Sequence, residues 1–109
     1  MSFGVVYNMI ERHYYESKLQ LGDHHHDLSK AKPALLQYLE QNSKPVFEYH
    51  SLEKHDLWGF HQNGISINLQ TTSLKANSLD FIDVKLISEV TPTQDLEDML
   101  TKLIEPFKI

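Results

Sequence analysis

Three consecutive histidines, His24 to His26, stand between Asp23 and Asp27 in the stretch GDHHHDL. Imidazoles beside carboxylates are metal-ligand types, so this run is the first place to look for chemistry. Contiguous side chains do not converge, however. In an extended segment neighbours point to opposite sides, and in a helix they diverge by about 100°. At most His24 and His26 could share an ion, and Asp23, Asp27 or a distant histidine would have to complete the tetrahedron. A purification tag is normally longer and terminal. The run follows Gly22 and directly precedes a helix start, which reads as a polar loop with Asp27 as the helix cap.

His50, His55 and His61 form a second set. Their spacings match neither HExxH nor the thiolate zinc patterns, and the chain has no cysteine. No G-x-S-x-G elbow accompanies the serines, and the four glycines are too scattered for a phosphate-cradling loop. The reading is a chain without metal or cofactor and without a catalytic set. A small metal-dependent hydrolase built on the histidines is the alternative from a different class.

The elements that would position these residues can be read from periodicity. In TPTQDLEDMLTKLIEPFKI, the residues Leu96, Met99, Leu100, Leu103, Ile104 and Phe107 share one helical face. Thr91 with Gln94 resembles a capping box, Pro92 suits the first helical position, and Asp95, Glu97 and Asp98 complement the positive helix end. A second helix is expected from Asp27 or Ser29 to about Asn42, with Leu28, Ala31, Leu35, Leu36 and Leu39 as its apolar stripe and Pro33 in the first turn.

From Pro45 to Val90 the pattern turns to period two. Asn63-Gly64 supplies the two positive-φ residues of a tight hairpin. Counting outward pairs Gln62 with Ile65, Phe60 with Ile67 and Trp58 with Leu69 on one face, and leaves Gly59, His61, Ser66 and Asn68 on the other. A further strand alternates Ile82, Val84 and Leu86 against Asp83 and Lys85. At the N-terminus, Phe3, Val6, Tyr7, Ile10 and Tyr14 have helical spacing, whereas Tyr15, Leu19 and Leu21 alternate as a strand would. A helix over about residues 3–18 is the expectation. The fold class is thus a single α+β domain over residues 1–109. An antiparallel β-meander of three to four strands carries the N-terminal helices and the C-terminal amphipathic helix on one face.

Size and charge constrain the function. At 109 residues the chain can bury a core without staples. The N-terminus meets Glu11 and Arg12 after a short apolar run without a basic lead-in, so it does not read as a signal peptide. No segment has the roughly 20 apolar residues of a membrane span. A cytoplasmic protein with no membrane partner is expected. Ten Lys+Arg against fifteen Asp+Glu give a net charge of −5, with His counted neutral. That sign disfavours nucleic acid and favours a basic protein partner. The single arginine, Arg12, further weakens any phosphate-recognition reading.

The docking surface expected from sequence is the acidic group Asp80, Asp83, Glu89, Asp95, Glu97 and Asp98, joined by Arg12 and Tyr15 from the segment ERHYYE. The concrete version is an immunity- or antitoxin-like inhibitor covering a basic bacterial toxin such as a nuclease. A secretion-chaperone-like dimer binding an effector segment is the second binding reading, and monomer and homodimer both stay open. Seven histidines also allow an interaction that responds to acidification.

Overall fold

The structure is a computed structural model that describes residues 13–22, 24–51 and 54–109. Its organising turn is Asn63-Gly64, where φ values of 49° and 78° place both residues in the left-handed region that a type I′ hairpin needs. The turn joins strand β3, His55–Gln62, to β4, Ile65–Thr72. Their register pairs Gln62 with Ile65, Phe60 with Ile67 and Trp58 with Leu69, as counting outward from the turn requires.

Around this hairpin the strands β1 (Tyr15–Gly22), β2 (Lys44–His50) and β5 (Phe81–Ser88) complete a five-stranded, wholly antiparallel sheet in the order β1-β5-β4-β3-β2. β2 to β5 form a continuous meander. β1 returns from the start of the chain to lie beside the last strand, pairing Leu19 with Val84 and Leu21 with Ile82.

The sheet therefore has one strand more than the largest number expected. The expectation of a helix over about residues 3–18 fails over 13–18, where His13 and Tyr14 are non-helical and Tyr15–Lys18 are strand, and residues 3–12 lie outside the described residues. Period two wins there because Leu19 and Leu21 point to the core while Glu16, Lys18 and Gln20 point to the opposite face, and β5 offers a complete edge for pairing.

Among the described residues, two helices cover one face. α1 spans Leu28–Asn42, with Asp27 as its cap: the Asp27 carboxylate accepts from the Lys30 N–H at 3.3 Å. Pro33 is the sixth helical residue and lies inside the helix rather than in the expected first turn, so the Ser29 carbonyl lacks its i→i−4 donor there. α2 spans Thr93–Ile104 and runs into a 3-10 turn at Glu105–Phe107.

The expected Thr91/Gln94 capping box is absent. Pro92 takes the cap position rather than the first helical one, without a side-chain cap bond, and Gln94 donates along the helix to Asp98. Ser88 organises the approach instead. Its buried hydroxyl accepts from the Val90 and Thr91 N–H groups and donates to the Gly64 carbonyl.

One core lies between helices and sheet. Leu28, Ala31, Leu35 and Leu39 of α1 and Leu96, Leu100 and Ile104 of α2 meet the inward row Trp58, Phe60, Ile67, Leu69, Val84 and Leu86. The opposite sheet face carries Glu16, Lys18, Gln20, Asn68, Gln70, Asp83 and Lys85 and, among the described residues, has no helix over it, which an antiparallel sheet tolerates.

Candidate protein-binding surface

The acidic residues expected to form one surface occupy three places. Asp80 lies in the β4–β5 connection. There its carboxylate accepts from the Leu74 N–H at 2.7 Å and the Ser78 hydroxyl at 2.8 Å, and these two bonds, the backbone one first, lower its pKa. Asp80 is spent on shaping its own loop. Asp83 points from the middle of β5 to the helix-free face and accepts from the Gln20 amide at 3.0 Å. Neither meets the helix carboxylates.

Glu89, Asp95, Glu97 and Asp98 do come together, at the other end of β5 from Asp80 and around the first turns of α2. Ser88 fixes the chain that carries Glu89 toward the helix, and Leu96 and Leu100 anchor the helix to the core. The intervening positions Asp95, Glu97 and Asp98 are thereby held outward and exposed. No lysine or arginine occurs between Lys85 and Lys102. Asp95, Glu97 and Asp98 have no ion pair among the described residues, and the polar contact of Asp98 is the neutral Gln94 amide at 3.2 Å. Negative charge is thus concentrated at the α2 entrance, with Asp95, Glu97 and Asp98 outside any ion pair among the described residues.

Tyr15 stands at the start of β1, opposite Ser88 and close to this entrance, with its ring exposed. Arg12 lies outside the described residues.

The histidines separate likewise. His24 and His25 are exposed in a tight turn whose His25 and His26 N–H groups donate to the Gly22 carbonyl. The turn is closed by the chain end: Asp27 N–H donates to the Phe107 carbonyl and Ile109 N–H to the His25 carbonyl. His26 bridges to Lys108 through the backbone, and its ring Nδ1 has no hydrogen-bond partner. Asp23 lies outside the described residues. His55 bonds with Thr72 Oγ1 and Gln70 on the helix-free face, and His61 is exposed there.

Sequence patterns did not reveal one constellation, on the helix side of the β2–β3 edge. His50 there bonds with Glu48 Oε1 at 2.8 Å through Nε2 and with Asp56 Oδ1 at 3.0 Å through Nδ1. Trp58 Nε1–H donates to the same Glu48 oxygen at 3.0 Å, and the Trp58 ring stands edge-on to His50 at 5.5 Å. Lys32 of α1 reaches over the indole at 5.8 Å. The Glu48 bond, then the Asp56 bond, raise the His50 pKa, and the His50 and Trp58 bonds lower that of Glu48. The signal was β-strand parity: Glu48 opposes Trp58 and His50 opposes Asp56 once the irregularity between Pro45 and Phe47 is allowed for.

Both ring nitrogens of His50 are engaged, so the cluster ties β2 to β3 at the sheet edge. Among the described residues, no group of three or more His, Asp or Glu side chains is arranged to hold a metal ion. Among those residues, too, no helix is long and apolar enough to cross a membrane. No protein-family model matches the chain, and no curated protein matches it.

Proposed function

We propose that the chain is a non-enzymatic, cytoplasmic protein-binding module that covers a basic protein partner with the α2 entrance. An immunity- or antitoxin-like inhibitor of a basic toxin is its most concrete form. The observation carrying this reading is the clustering of Asp95, Glu97 and Asp98, beside Glu89, on a helix start anchored to the core, in a stretch from 86 to 101 without lysine or arginine. Such a patch attracts a positively charged surface and accelerates encounter. Tyr15 at its margin adds an aromatic contact of the kind that anchors interfaces. Asp80 and Asp83 contribute to the field at a distance rather than to the contact.

The test is to capture and identify the partner at low salt from the native host, then to follow association by stopped flow. Raising salt from 20 to 200 mM is expected to slow association by roughly tenfold or more. Combined reversal Asp95→Lys, Glu97→Lys and Asp98→Lys should slow it comparably at low salt. Association rates unmoved by both changes would refute the charge-steered reading.

A secretion-chaperone-like homodimer is the second reading. It is favoured by the outer edge of β2, whose seven residues are all exposed and include Val46, Phe47 and Tyr49. Analytical ultracentrifugation separates the two: a dimer dispersed by Phe47→Lys supports the chaperone reading, and a concentration-independent monomer supports the inhibitor.

A further inference from the structure

Between α1 and α2 the helices part over the middle of the sheet and leave an open cleft of about 420 Å³. Its floor is Ile67 of β4 and Leu86 of β5, and its walls are Leu35 and Leu39 of α1 against Met99 and Leu103 of α2. Four of these, Leu35, Leu39, Ile67 and Leu86, belong to the buried core, so the cleft descends to the interior rather than denting the surface. At its margins Tyr38 and Met99 remain 45% and 37% exposed, more than apolar bodies of that size need when they have been packed away.

Three polar groups interrupt this apolar lining: the Tyr38 hydroxyl, the Gln62 amide and the Lys102 ammonium. None has a side-chain hydrogen bond or ion pair among the described residues. Lys102 is four residues beyond Asp98, where an i,i+4 pair could form, yet Asp98 is engaged by Gln94 instead. The cleft thus offers an apolar trough, two neutral hydrogen-bonding groups and one free positive charge, the composition of a small-ligand site.

We propose that the cleft binds a single-chain amphiphile with a carboxylate head, the hydrocarbon lying between the helices and the carboxylate paired with Lys102. The volume falls at the lower end of the roughly 300–1,000 Å³ typical of small-molecule pockets, which suits one acyl chain and excludes an amphipathic helix about 10 Å across. The sign of the head follows from Lys102, the only charged side chain among the described residues that line the cleft. Lys102 is exposed, so a carboxylate head gains a partly screened charge-assisted contact there that a neutral head does not, and a cationic head would be repelled. This site is independent of the acidic helix entrance and of the partner proposed for it.

The test uses dodecanoate and dodecanol, equal in chain and different in head, each titrated below its aggregation limit while amide and methyl NMR spectra are recorded. Dodecanoate is expected to bind saturably at one site, to shift the Leu35, Leu103 and Met99 methyl signals, and to bind about tenfold tighter than dodecanol. Lys102→Glu should weaken dodecanoate about tenfold or more and leave dodecanol unchanged, which separates head recognition from unfolding.

Ala34→Trp, which fills the trough from α1, should abolish both while circular dichroism reports an intact fold. If that variant unfolds, Met99→Trp blocks the opposite wall and replaces it. Absence of saturable binding would overturn the proposal. So would equal affinities for the two probes, indifference to Lys102→Glu, or shifts confined to residues outside the cleft. Displacement of dodecanoate by an apolar peptide at equal concentration would overturn it in favour of a protein segment as occupant.

Discussion

His50 is held between Glu48 of its own strand and Asp56 across the β2–β3 pair. Its pKa is raised, so the stabilisation it brings is fully present below the ordinary histidine value of about 6.5 and is lost as pH rises through the higher folded value. Glu48 is lowered, so its share is present above the ordinary carboxylate range and is lost as pH falls through the lower folded value. The clamp is therefore strongest in mildly acidic solution. An NMR titration of the His50 ring is expected to give a midpoint above 6.5 that drops toward that value in Glu48→Gln. A midpoint at or below 6.5 in the unsubstituted protein would contradict the geometry. Gly59 is also fixed by contact, because an added Cβ would collide with the Phe47 ring lying across it. Gly59→Ala should cost about 1–3 kcal/mol in urea unfolding, and the loss should shrink in a Phe47→Ala background.

The hairpin β3–β4 and the two helices follow from local rules, and their removal should be felt at the size those rules give. Gly64 has φ of +78°, so Gly64→Val is expected to cost about 1–2 kcal/mol and to weaken the register it sets. Leu100→Ala, which empties a position 2% exposed beneath α2, should cost about 2–5 kcal/mol. Thermal or urea unfolding reads both. These elements were legible because each signal is short-range: Asn63-Gly64 sets a turn, Asp27 caps α1, and Leu96, Leu100 and Ile104 repeat every four residues. β1 was harder to read. Its helical-looking apolar residues precede Tyr15, and only Leu19 and Leu21 carry the alternation that matches β5. A partner so far along the chain leaves no trace in local spacing. The candidate surface was legible in the same measure. The run from Glu89 to Asp98 is contiguous in sequence and stays together in space, whereas Asp80 and Asp83 are separated from it by the length of a strand and by the sheet itself.

At the scale of the molecule, the sheet is anchored at its centre and, among the described residues, open at its rims. β4 is paired along all eight residues on both sides, with Ile65, Ile67, Leu69 and Thr71 buried, whereas β2 is exposed throughout and bonded on one side only. Hydrogen exchange should accordingly be slowest at β4 and β5 amides and fastest at β2, and uniform protection across the strands would disagree with this gradient. The connection of β1 has another outcome. Gln20 and Asp83 bond across 63 residues of sequence, so the first described strand leaves the ribosome long before the last strand exists to receive it. At roughly 5–20 residues per second, that interval is on the order of 3–12 s. During each round of translation, Leu19 and Leu21 must wait in water with their backbone unpaired. Nascent chains stalled before residue 81 should therefore expose this segment to chaperones or proteases, and chains released beyond residue 88 should not.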